Sequence, residues 1–71
     1  MNLYIIGAGG HGKVVSEIAI LMECYEEIVF LDDNKIPGSQ VLGLNVIGKT
    51  NFEFIKDFIN NKSKFFVAIG D

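Results

Sequence analysis

The chain has 71 residues, 49% of them hydrophobic, with 6 basic and 9 acidic side chains and a net charge of −3. That length allows one small domain, whose core supplies no more than about 3–5 kcal/mol. The acidic balance and scattered lysines argue against a nucleic-acid partner, Cys24 alone excludes an internal disulfide, and no apolar run approaches the roughly 20 residues of a membrane span.

Residues 2–6 (Asn-Leu-Tyr-Ile-Ile) read as a short buried strand stopped by Gly7. Gly7, Gly9 and Gly12 then match G-x-G-x-x-G, the spacing of a strand–turn–helix that holds a phosphate or pyrophosphate. Glycine lets the chain turn tightly and lets backbone N–H groups approach a ligand. The following helix aims its unpaired N–H groups and positive dipole end at the same place. Gly10 is expected to sit at positive φ in this turn, and His11 to offer an imidazole for hydrogen bonding. From His11 the period becomes 3.6: Val14, Ile18 and Met22 share a face with Val15, Ala19 and Leu21, while Lys13, Glu17 and Glu23 lie off it. The spacing predicts a helix resting on a sheet through that apolar stripe.

Residues 28–31 form a second apolar run, ended by Asp32 and Asp33. Runs this uniformly apolar suit parallel strands covered on both faces. Residues 34–45 carry the turn formers Asn34, Pro37, Gly38 and Gly43, with short strands or an edge hairpin expected around Val41-Leu42 and Val46-Ile47. Thr50-Asn51-Phe52-Glu53 fits a capping box. It opens a second helix whose stripe is Phe54, Ile55, Phe58 and Ile59, ended by Asn60-Asn61. Residues 64–69 are the last strand, closed by Gly70-Asp71.

The order is β-α-β-(β)-α-β, an α/β pattern with a mostly parallel open sheet and right-handed crossovers. Placing the first strand centrally, between 28–31 and 65–69, puts the helices on opposite faces and makes a switch point beside it. Ligands of open sheets bind at such points, outside the carboxyl ends of the strands. Three pieces converge there: residues 7–12, Asp32-Asp33 and Gly70-Asp71. Asp32 follows Gly12 by 20 positions, where a dinucleotide fold places an acid on the ribose hydroxyl. Asp32 and Asp33 can equally end a strand in a solvated turn. One histidine and one cysteine give no metal site.

The segments Ile5-Ile6-Gly7-Ala8-Gly9-Gly10-His11-Gly12, Phe30-Leu31-Asp32-Asp33, Val46-Ile47-Gly48 and Phe66-Val67-Ala68-Ile69-Gly70-Asp71 together resemble the N-terminal domain of sialic acid and bacillosamine-type sugar O- and N-acetyltransferases, the NeuD/PglD-like group. The likeness spans essentially the whole chain. It implies a small Rossmann-like domain over residues 1–71 that binds a sugar or nucleotide sugar. In that group a left-handed β-helix of hexapeptide repeats follows, which binds acetyl-CoA, trimerises and carries the catalytic histidine. By motif match the substrate contacts fall on Gly9, Gly10, His11, Asp32, Asp33 and Gly70. Gly9 stands where a serine is frequent in the group. No hexapeptide repeat is present, so the resemblance implies a truncated sugar-binding half: inactive alone, monomeric or weakly associated, cytoplasmic, with acetyl-CoA bound elsewhere in a trimeric parent. The alternative is an NAD-type dinucleotide-binding module of an oxidoreductase. Against it, His11 stands where pyrophosphate approach favours a small residue, and the second mononucleotide-binding half is missing.

Overall fold

The computed structural model describes residues 1–58 and 62–68. Five strands make one sheet: β1 (Asn2–Ile6), β2 (Glu27–Leu31), β3 (Gln40–Val41), β4 (Leu44–Gly48) and β5 (Ser63–Val67), in the order β3-β4-β2-β1-β5. β1 is central. It pairs in parallel with β2 and with β5, so that Ile5 lies opposite Phe30 on one side and Phe66 on the other. β4 adds to β2 in parallel with an irregularity between Phe30 and Leu31, and β3 folds back on β4 as an antiparallel hairpin. Its two turn residues, Leu42 (φ 53°) and Gly43 (φ 79°), are both left-handed, the backbone of a type I′ turn whose twist matches that of the strands.

Helix α1 (Gly10–Met22) covers one face of this sheet and α2 (Phe52–Ile55), continued by a 3-10 turn over Lys56–Phe58, the other. The first core joins Leu3, Ile5, Phe30 and Val46 of the strands to Ala19, with Val15 at its margin. The second joins Tyr4, Val29 and Leu31 to Ile55 and Phe65. Alternation along each strand sends successive side chains to these two cores. The arrangement is the small Rossmann-like open sheet expected from the sequence.

Two local expectations are corrected. α1 turns Gly12, Ser16 and Ala19 to the sheet, and Val14, Ile18, Leu21 and Met22 stay exposed. The cause is at the top of the helix. Gly12 lies so close to the carbonyl of Gly7 that only a side-chain-free residue fits, and this contact fixes the helix rotation. Ser16 is fully buried in consequence, its hydroxyl donating to the carbonyl of Lys13 at 2.7 Å. The second correction concerns Thr50. The helix begins at Phe52, and the Thr50 hydroxyl donates to Asp33 where a capping box would have it accept within the helix. Glu53 instead pairs with Lys56 at 3.2 Å. The side chains of Phe52, Phe54 and Phe58, and residues 59–61 and 69–71, lie outside the described residues, so Ile55 alone represents the expected stripe.

Candidate functional site

The carboxyl ends of β1, β2 and β5 bring the glycine loop, Asp32-Asp33 and Ala68 to one edge of the sheet. Beyond Ile6 the chain turns at Gly7 (φ 110°), a conformation that strains any residue with a Cβ. Two bonds pin the turn to β2: the Gly7 N–H donates to the Leu31 carbonyl at 2.7 Å and the Ala8 N–H to Asp32 Oδ2 at 2.6 Å. Gly9 is the extended residue before α1, without a side-chain cap, and its carbonyl accepts the first helical bond, from Lys13, at 2.9 Å. The amides of Gly9, Gly10, His11 and Gly12 have no hydrogen-bond partner among the described residues. They form a set of donors at the positive end of a 13-residue helix, an arrangement that favours an anion or an acceptor-rich ligand.

The expectation of positive φ at Gly10 is not met, because Gly7 makes the turn and Gly10 is already helical. A Cβ added at Gly9 or Gly10 meets open space. Neither glycine is demanded by the fold, so what their bare backbone provides is access to the loop.

Facing the loop are the two acids, and both are engaged. Asp32 Oδ1 accepts the Asn34 N–H at 2.7 Å, while its Oδ2 holds Ala8. Asp33 accepts the Thr50 N–H on Oδ1 and the Thr50 hydroxyl on Oδ2, both at 2.8 Å, and Lys49 Nζ donates to its carbonyl at 3.1 Å. The Thr50 amide, its hydroxyl and then the Lys49 charge hold the Asp33 carboxyl below the usual carboxylate range, against an opposing effect of desolvation. A carboxyl whose folded pKa is depressed adds stability above its unfolded pKa, about 4, which is lost as pH falls through the folded value. Urea midpoints of the wild type should therefore drop between pH 5 and the strongly acid range more steeply than those of Asp33→Asn. Parallel acid limbs for the two proteins would refute this role for Asp33.

Between loop and acids lies an open crevice of about 280 Å³, lined by Gly7, Gly9, Asp32, Asp33, Asn34, Thr50 and Ala68. That is the low end for small-molecule sites, room for a single ring system. Of the residues expected from sequence, Gly9, Asp32 and Asp33 line the crevice. Gly10 and His11 follow at the start of α1 without lining it, and Gly70 lies outside the described residues. Asn34 and Thr50 were missed. Their one signal is position, Asn34 directly after the acid pair and Thr50 two residues before a helix. His11 is exposed, and its ring faces Phe66 of β5 with centroids 6.3 Å apart and planes inclined by 39°. Among the described residues no group of three or more His, Cys, Asp or Glu could hold a metal ion, and no helix is long and apolar enough to cross a membrane.

The family model of the PglD N-terminal domain matches residues 2–71. The chain belongs to the PglD N-terminal domain family. Two solved structures are similar to it. The acetyltransferase domain of PglB from Neisseria gonorrhoeae FA1090, in complex with acetyl coenzyme A, is 46% identical with a TM-score of 0.81, the match covering 96% of this chain and 31% of that one. A second structure of the acetyltransferase domain of PglB from Neisseria gonorrhoeae FA1090 is 45% identical at the same TM-score, the match covering 96% of this chain and 32% of that one. This PglD N-terminal domain thus spans about a third of the length of the acetyltransferase domains it matches. No curated protein matches it.

Proposed function

We propose that this PglD N-terminal domain binds a sugar, or the nucleotide-linked form of one, at the crevice between the glycine loop and Asp32-Asp33. It would do so on behalf of an acetyl-CoA-dependent sugar acetyltransferase of surface-glycan or sialic acid synthesis. The observation that carries this reading is the row of amides from Gly9 to Gly12, without partners among the described residues, beside a crevice sized for one ring, in a chain whose family relative is an acetyltransferase domain. The amides suit a phosphate or a ring oxygen, and the spare lone pairs of the two carboxylates accept from hydroxyl or N–H groups of the nucleoside end. His11 adds a hydrogen bond at the start of α1, and the family motif adds Gly70 to the proposed contacts. Acetyl-CoA and the catalytic base are assigned to the part of the relative that this chain does not match. The chain by itself is expected to transfer no acetyl group and to be monomeric or weakly associated, whereas the parent protein would be cytoplasmic and trimeric. The NAD-type oxidoreductase module gains no support from the comparisons.

Calorimetry with UDP-sugars, CMP-sialic acid, free sialic acid and NAD tests the reading. A sugar-bearing probe should bind, and His11→Ala should weaken it several-fold, as expected for one neutral hydrogen bond of about 0.5–1.5 kcal/mol. Binding of NAD alone, unchanged by His11→Ala, would decide for the oxidoreductase module.

A further inference from the structure

His11 stands at the second position of α1 and is exposed, and its side chain forms no hydrogen bond to a described residue. Among the described residues its ring has one aromatic neighbour, Phe66. The centroid separation of 6.3 Å with a tilt of 39° falls in the range where ring pairs attract, about 4.5–7 Å. Phe66 itself is poorly explained by burial. It lies on β5, an outer strand of the sheet, and is 44% exposed. The neighbouring Phe65 turns to the opposite face and stacks on Tyr4 at 4.9 Å, so the two phenylalanines have separate tasks. Phe66 and Ala68 point to the same face of the strand, two residues and about 7 Å apart, and Ala68 lines the crevice. The His11–Phe66 pair therefore stands two residues along the strand from the crevice wall.

We propose that Phe66 is a positioning residue for the ligand site: its ring holds the His11 imidazole beside the glycine loop. The sugar-binding role of His11 rests on the reading given above, whereas the ring contact stands on geometry alone. Phe66 also borders an apolar groove of about 250 Å³ with Leu3, Val15, Ile18 and Met22. A merely apolar role there is served by leucine, but a ring-holding role is not.

Because the chain has a single histidine, its imidazole resonances are assigned without ambiguity. In the whole 71-residue chain without ligand, Phe66→Leu should remove the ring-current displacement of the imidazole C–H signals, and Phe66→Tyr should keep it. With UDP-N-acetylglucosamine as probe, Phe66→Leu should weaken binding about as much as His11→Ala, several-fold, Phe66→Tyr should restore it, and Phe66→Leu added to His11→Ala should cost nothing more. Imidazole signals unmoved by Phe66→Leu would overturn the proposal whatever the ligand does. So would a further loss of affinity in the double variant, which would make Phe66 a direct contact. A wild type that shows the displacement but binds none of the sugar probes would overturn the sugar-site reading and the positioning role with it, leaving only the ring contact.

Discussion

Gly12→Ala is expected to abolish the folded state at room temperature. The added Cβ would lie 1.9 Å from the carbonyl oxygen of Gly7, well inside contact distance, and the obstacle is backbone. The loop cannot yield cheaply, because Gly7 is fixed at φ 110° and tied to Leu31, and Ala8 is tied to Asp32. The helix cannot lift away without uncovering Phe30, fully buried beneath it, and detaching Ser16 and Ala19. Overpacking costs about 1–3 kcal/mol and more where relief is blocked, against a total of about 3–5 kcal/mol for a core of this size. Circular dichroism with urea titration reads the effect. Gly9→Ala and Gly10→Ala are the controls: their Cβ atoms meet open space. Alanine at Gly10, within the helix, is favoured over glycine by up to about 1 kcal/mol, while at the N-cap Gly9 it costs about 1 kcal/mol, so both should stay folded and melt near the wild-type temperature. A Gly12→Ala protein melting with these controls would show that helix and loop part more easily than the contact implies.

The same contact explains what the sequence did and did not reveal. Strand positions were legible because runs such as residues 2–6 and 28–31 are apolar on both faces, and the switch point followed from strand order. The rotation of α1 was not legible. Its larger apolar residues, Val14, Ile18 and Met22, form a better stripe than Gly12, Ser16 and Ala19, yet close approach at Gly12 outweighs the area they would bury. The turn at Leu42-Gly43 was only half visible, since Gly43 invites positive φ and a leucine does not. In the site, the acids were found by their place after a strand. Their partners were not, because the bonds from Asp32 to Ala8 and from Asp33 to Thr50 span 24 and 17 residues and no local pattern announces them.

Asp32→Ala should cost about 2–4 kcal/mol, a large part of the stability of so small a domain. Both carboxylate oxygens are in use, one on the Ala8 amide and one on the Asn34 amide. Ala8 is fully buried, so removing Asp32 leaves a buried N–H without a partner, which by itself costs about 1–3 kcal/mol. Asp32→Asn should recover less than half, since its single amide oxygen can serve only one donor and its NH₂ would face the other. Hydrogen exchange localises the effect: the Ala8 and Asn34 amides should lose more protection than that of Val29 in the neighbouring strand. The result also separates two roles for this acid. An aspartate kept only to accept a ribose hydroxyl, as in a dinucleotide-binding module, would leave the melting temperature nearly unchanged when replaced and reduce affinity alone. An aspartate that clamps the glycine loop lowers stability first and affinity through it, because the amides from Gly9 to Gly12 keep their common direction only while Ala8 is held.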